Sequence, residues 1–315
     1  MERTTEVSCY NMIADEKELE WFFNHVIMKP KVNESYSAVF VSRHKKLTEE
    51  EAKEFGVTRR EAEFLSTQTF RLKTVKDASK IDSPDNWNFS RFLQNLTRFN
   101  VDKRSYLTGG GKPIPEKTLA VLFYVNPCDD MKVCKKFIDE YMLVTEGITK
   151  AMIGDKTVED NYQSFQWFGK VDSTLKHLRA NSKGSKYWMD FDIDVPEWFR
   201  NQHGDGDGTG AYFAQFKFDL DRTFGKGNYV IISTCGGYHV LVRTKAIKSN
   251  PEDFCELVKR NYEHGVEYGY PAYVDEKGTC KFECIVNDSQ IPGLPLPGTY
   301  QYNRPVTVLN KEDFE

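Results

Sequence analysis

Apolar residues recur along this chain in two rhythms, one near the helical repeat and one near the two-residue repeat of a strand. Leu19, Phe22, Phe23, Val26 and Ile27 fall at helical spacing behind Asp15, which predicts an N-cap. Residues 35–43, SYSAVFVSR, are aromatic and β-branched and predict a strand. Thr48 with Glu51 three residues on reads as a capping box that opens a second helix. TQTFRLKTV (67–75) predicts another strand, and SPDNWNFSRFLQNLTRF (83–99) a loop running into an amphipathic helix. TLAVLFYVNP (118–127) is almost continuously apolar, as in a strand covered on both faces. Residues 131–153 predict one helix, or two joined near Gly147.

The second half repeats the alternation. In YWMDFDIDVPEW (187–198), Tyr187, Met189, Phe191 and Ile193 alternate with Asp190, Asp192 and Asp194. On a strand the three aspartates share one face and the apolar residues the other. GDGDGTG (204–210) predicts a loop, and 211–224 a helix. NYVIISTCGGYHVLVRTKAI (228–247) predicts two strands meeting at Gly236 and Gly237. A capped helix follows over 249–266, then a strand at CKFECIVN (280–287). The tail, IPGLPLPGTYQYNRPVTVLN (291–310), is rich in Pro and Gly and ends in a short strand. The alternation predicts an α/β or α+β class. The least regular stretch, 145–186, separates an N-terminal module (1–150) from a motif-bearing module (151–315).

Composition narrows the reading only a little. A hydrophobic fraction of 39% supports a buried core, and a net charge of −4 excludes a chain that is basic throughout. Local basic patches stay open, because a channel needs local charge. Seven cysteines form no paired framework, the opening residues carry no apolar signal segment, and no apolar run is long enough to span a membrane. The expectation is a cytosolic protein, the host cytoplasm if viral, with reduced thiols and no membrane partner.

Three motif-like stretches fail on their spacing. GGGK at 109–112 lacks the Gly and the Ser/Thr of a phosphate loop, with Tyr106 and Pro113 in those places. The loop from Asp205 has Phe216 where a calcium loop needs a bidentate Glu. Cys280 and Cys284 on a strand would lie about 13 Å apart. That is too far to share, with Cys255 and His264, a zinc ion bound at about 2.3 Å.

The aspartates survive this test. Like charges so close repel and raise one another's pKa, so a cation is expected beside them. Asp190 and Asp192 on an interior strand suit a hard divalent ion, and removing either should relieve repulsion and raise stability. Gly236 and Gly237 allow close approach of a ligand to the backbone. His239 follows them, Ser233 and Thr234 add hydroxyls, and Arg243 and Lys245 add positive charge further along. By itself a histidine in a strand is more often a packed, hydrogen-bonded residue than a ligand-binder; the two Gly and the Ser/Thr before His239 shift it toward an anion site. Thr299, Gln301, Asn303 and Arg304 read as loop residues in a proline-rich connection.

In this order, WMDFDID (188–194), STCGGYH (233–239) and LPGTYQ (296–301) resemble the archaeo-eukaryotic primase superfamily, of the kind found in viruses and phages. That family carries a hydrophobic-D-x-D strand, an S-x-H element often with Gly before the His, a further hydrophobic-acid strand, and in many members a PGT or PGS segment. ESYSAVFVSRHKKL (34–47) is similar to the strand and basic segment that open its catalytic module. The third acidic residue departs from the pattern: Glu283 and Asp288 are equal candidates, with Asp275 behind them.

The resemblance implies an α+β fold, an RRM-like catalytic sheet beside an N-terminal α/β module with the active site in the cleft between. It also implies primer synthesis from nucleoside triphosphates on a single-stranded DNA template. Two Mg²⁺ or Mn²⁺ ions, about 3.5–4 Å apart, would stabilise the attacking and leaving oxygens. Asp190 and Asp192, with Glu283 or Asp288, would hold them. His239, the region of Gly236 and Gly237, and Ser233 would meet the triphosphate, and Arg43 and Arg304 would line the nucleotide or template path. The chain carries no recognisable helicase segment, so an unwinding partner would be a separate replicative helicase. Two other classes stay open: an inactive nucleotide- or nucleic-acid-binding module on the same scaffold, and a D-x-D sugar-nucleotide transferase or metal nuclease.

Overall fold

The computed structural model describes residues 10–43, 47–54, 64–73, 87–97, 113–152, 182, 184–194, 210–249, 252–253, 256–257, 273–274, 280–281 and 293–314. Helix α1 (Glu16–His25) begins where Asp15 accepts hydrogen bonds from the amides of Lys17 and Glu18 at 2.8 and 3.2 Å. It buries Leu19, Phe22 and Phe23, and Val26 at its C-cap. Helix α2 (Glu49–Glu54) carries the expected capping box: Glu51 accepts from the Thr48 amide, and Thr48 Oγ1 from the Glu51 amide. Helix α3 is Phe89–Thr97, and α4 (Asp130–Met152) runs unbroken through Gly147.

Strands β1 (Glu34–Arg43), β2 (Phe64–Lys73), β3 (Leu119–Tyr124) and β4 (Cys128–Asp129) build the first sheet. The C-terminal segment completes it with β10 (Gly293–Pro295), β11 (Tyr300–Gln301) and β12 (Arg304–Pro305). The order is β12-β11-β3-β1-β2, with β10 also on β3 and β4 on β1. Strands β11 and β12 form a two-residue hairpin in which Tyr302 and Asn303 take φ of 54° and 64°, the left-handed geometry of the turns that match strand twist.

The second sheet holds β5 (Trp188–Asp194), β6 (Tyr229–Ser233), β7 (Gly237–Arg243) and β13 (Thr307–Val308), in the order β13-β6-β7-β5. Both β5 and β6 run antiparallel to β7, so they are parallel to each other. Helix α5 (Gly210–Phe224) connects them. This is a β-α-β unit split by an inserted strand. Helix α6 (Thr244–Ser249) follows β7, and β8 (Tyr273–Val274) pairs with β9 (Cys280–Lys281). The class is α+β with antiparallel pairing throughout the described ladders.

One core joins the two sheets. Tyr36, Phe40, Leu119 and Phe123 from the first pack with α1 and with Trp188, Val230, Ile232 and Leu241 from the second. The other face of the second sheet packs Phe191, Ile231 and Val240 against Leu220 and Phe224 of α5. Buried and partly buried polar residues fasten the joins. Glu18 accepts from the Val308 amide at 2.6 Å and pairs with Lys311, tying α1 to the edge of the second sheet. Asn126 accepts from the amides of Tyr187 and Trp188 and donates to the Trp188 carbonyl, holding the start of β5. Asn310, fully buried, accepts from the Ile231 amide at 2.8 Å and donates to the Tyr229 carbonyl at 3.1 Å. Asn310→Ala leaves both backbone groups without this partner and is expected to cost about 1–3 kcal/mol. Urea denaturation measures that cost as a lowered midpoint at unchanged slope.

Candidate active site

Asp190 lies on the sheet face that looks inward. In the β5–β7 ladder Trp188 pairs with Arg243, Asp190 with Leu241 and Asp192 with His239. Side chains alternate along each strand, so Asp190 and His239 share a face with Trp188 and Leu241, both in the core between the sheets. The expected apolar backing holds for Phe191, which is buried, and for Met189, which packs on the α5 side. Tyr187 lies before the strand and packs with the opposite cluster.

Asp190 and His239 are diagonal neighbours, within reach across an antiparallel pair. Nδ1 of His239 lies 3.1 and 3.0 Å from the two Asp190 oxygens. Both residues are buried, at 9% and 8% exposure. An ionised carboxylate only accepts, so the imidazole donates its Nδ1–H. This bond offsets the cost of burying Asp190 and orients the ring, leaving Nε2 as its other nitrogen. The packed, hydrogen-bonded histidine of the sequence reading is present, held by the carboxylate.

The turn between β6 and β7 is held over the first sheet. The Thr234 amide donates to the Gly237 carbonyl at 2.9 Å, and the Gly236 amide to Thr234 Oγ1 at 3.4 Å. The Cys235 amide donates to Oε1 of Gln301 at 2.7 Å. Cys235 packs beside Val39, Val41, Ala120 and Tyr302. Gln301 is thus a pin between the turn and β11, and the STCGGYH and LPGTYQ stretches meet through it. Sequence reasoning left Gln301 as an incidental loop residue; its signal was a polar side chain one step from β-type residues in a segment read as a connection.

Gly298 in the same stretch has a structural task. Its φ is +82°, and a Cβ there would lie 2.6 Å from both the Asp15 carbonyl oxygen and the Leu19 amide nitrogen. Its carbonyl accepts from the amides of Ala14 and Asp15. The Pro-Gly-Thr segment seats the N-terminus of α1.

Ser233 falls elsewhere. It pairs with Tyr238 in the ladder, and alternation puts it on the α5 face, away from Asp190. Arg304 is exposed on β12, beside Gln301 at the edge of the first sheet. Arg43 ends β1 after an irregularity between Val41 and Arg43. The side chains of Arg43, Asp192 and Asp194, and the whole of Asp275, Glu283 and Asp288, lie outside the described residues. Among the described residues no group of three or more His, Cys, Asp or Glu side chains converges as a metal cluster, and no helix is long and apolar enough to cross a membrane. Cys128, Cys134 and Cys235 form no disulfide among the described residues. No protein-family model, no curated protein and no solved structure matches the chain.

Proposed function

We propose that this chain is a template-directed nucleotidyltransferase, a DNA primase or primase-polymerase that builds primers on single-stranded DNA. The split β-α-β sheet is read as the RRM-like catalytic sheet. The observation that carries the reading is the buried Asp190–His239 pair, on facing strands of the D-x-D and GGYH stretches. A plain structural sheet gains little from a carboxylate and an imidazole in its covered face; a site that handles charge does.

The residue types suit a hard divalent cation: Asp190 offers buried carboxylate oxygens, and Asp192 stands two residues on along the same strand, paired in register with His239. These two residues would hold Mg²⁺ or Mn²⁺, with a third acid from Glu283 or Asp288. The bound ions would supply charge neutralisation at the phosphoryl oxygens. His239, oriented by Asp190, presents Nε2 to the triphosphate; protonated, the ring donates there. Gln301, through the Cys235 amide, sets where the Gly236–Gly237 turn stands relative to it.

Incorporation of labelled nucleotide on a single-stranded template, with Mg²⁺ or Mn²⁺ and each nucleotide pool, tests the reading. Elongating products that disappear with chelator support it. Shortened template means a nuclease, and transfer from a nucleoside diphosphate sugar a sugar-nucleotide transferase. A catalytically silent binding module is a second reading, favoured by the same pair, since His239 gives the buried Asp190 carboxylate a hydrogen-bond partner without a metal. It predicts that triphosphate raises the Tm in proportion to RT ln(1 + [L]/Kd), with no product. His239→Ala is expected to raise the KM for nucleotide by about 10-fold or more, the loss of one charge-assisted hydrogen bond. Steady-state kinetics show this as a KM effect that His239→Gln partly restores; a loss of folding at unchanged KM assigns the ring to packing alone.

A further inference from the structure

At the end of β5 and β7 away from the Gly236–Gly237 turn lies a cavity of about 490 Å³. Lys186, Arg243 and Lys245 line it, and no carboxylate does among the described residues. The chain's net charge is −4, so three cations gathered on one cavity run against the composition. Ion pairing inside the protein does not explain them, because no salt bridge of these three is present among the described residues.

Arg243 is the centre of the arrangement. Its guanidinium lies 5.3 Å from the Trp188 ring centroid, a stacked position that holds the planar fork and leaves its edge for a ligand. Its Nε is buried with no hydrogen-bond partner among the described residues, and the Thr244 hydroxyl is in the same state. A buried charged donor left unpaired is costly. The backbone here is fixed, with the Arg243 amide on the Asn228 carbonyl at 2.8 Å and the Thr244 amide on the Tyr187 carbonyl at 2.9 Å. A rigid planar fork, two flexible ammonium groups and an aromatic wall suit a tetrahedral polyanion. The volume is that of a small-ligand site.

We infer that this cavity is an anion site for a phosphate-bearing ligand, either the backbone of a single-stranded nucleic acid or a free polyphosphate. It does not depend on the Asp190–His239 reading, and its test contains no divalent ion.

The test is fluorescence anisotropy of the full chain with a labelled single-stranded oligothymidylate, and competition by inorganic tripolyphosphate, across a salt series. Lys186 and Lys245 are exposed, so Lys186→Ala/Lys245→Ala keeps the fold; Lys248→Ala, exposed on the same helix outside the cavity, is the control. The double variant is expected to weaken oligonucleotide binding at least about tenfold and to flatten the salt slope by about 1.4, two phosphate contacts on a single strand. Lys→Arg at both positions should restore binding, and the control should match wild type. Loss of tripolyphosphate binding alone assigns the site to a free polyphosphate. Unchanged affinity and slope for both probes in the double variant overturn the inference.

Discussion

Asp190→Asn is expected to lower nucleotide incorporation by about a thousand-fold or more. Metal-borne charge stabilisation is worth several kcal/mol, and each ~1.4 kcal/mol is tenfold in rate. The amide keeps an oxygen to accept from His239 Nδ1, so the fold should hold to within about 1 kcal/mol. Asp190→Ala separates the two roles. It deletes the partner that Nδ1 meets at 3.0 and 3.1 Å inside a buried site, so an unsatisfied donor remains and stability should fall by about 1–3 kcal/mol. The simple repulsion argument from D-x-D predicts the opposite sign. The pair of aspartates is only part of the electrostatics, and the imidazole beside Asp190 outweighs relief from a neighbour two residues along. Single-turnover incorporation with urea denaturation of both variants decides it. A wild-type rate in Asp190→Asn removes the carboxylate from the proposed chemistry.

Gly298→Ala is expected to cost roughly 3 kcal/mol or more. It combines a left-handed backbone that disfavours a side chain with a methyl group pushed into the backbone of α1. The nearest atoms are the Asp15 carbonyl oxygen and the Leu19 amide at 2.6 Å, which cannot rotate away as a side-chain end can. The first turn of α1 should loosen, and Leu19 and Phe22 with it. Thermal and urea unfolding would record the change, and hydrogen exchange would locate it as lost protection in 16–23. An unaltered midpoint would mean that the Pro-Gly-Thr segment does not seat the helix in this way. The motif that the resemblance assigns to a catalytic family thus acts here through packing, in the first sheet, whereas the Asp190–His239 pair lies in the second.

Much of the local structure was legible because it depends on neighbours in sequence. The Asp15 cap, the Thr48–Glu51 box, the apolar strand at 119–124 and the Gly-bearing turn before His239 are decided within a few residues. The alternation in 188–194 placed the aspartates on one face opposite Phe191. It could not say whether that face looks outward, because alternation is the same for a solvated edge and a covered interior. Ser233 stands apart from Asp190 for a related reason. Closeness to His239 in sequence counts for little when the strand pleat sends it to the other face.

Sequence by itself determined caps, turns and much of the local structure among the described residues, since each follows from the period and chemistry of adjacent residues. Tertiary structure alone decided that residues 293–305 return to pair with β3, that Gln301 reaches the Cys235 amide, and that Nδ1 of His239 settles on Asp190. Those contacts join residues dozens to hundreds of positions apart. They form only when two sheets close on one core and every buried polar group must find a partner.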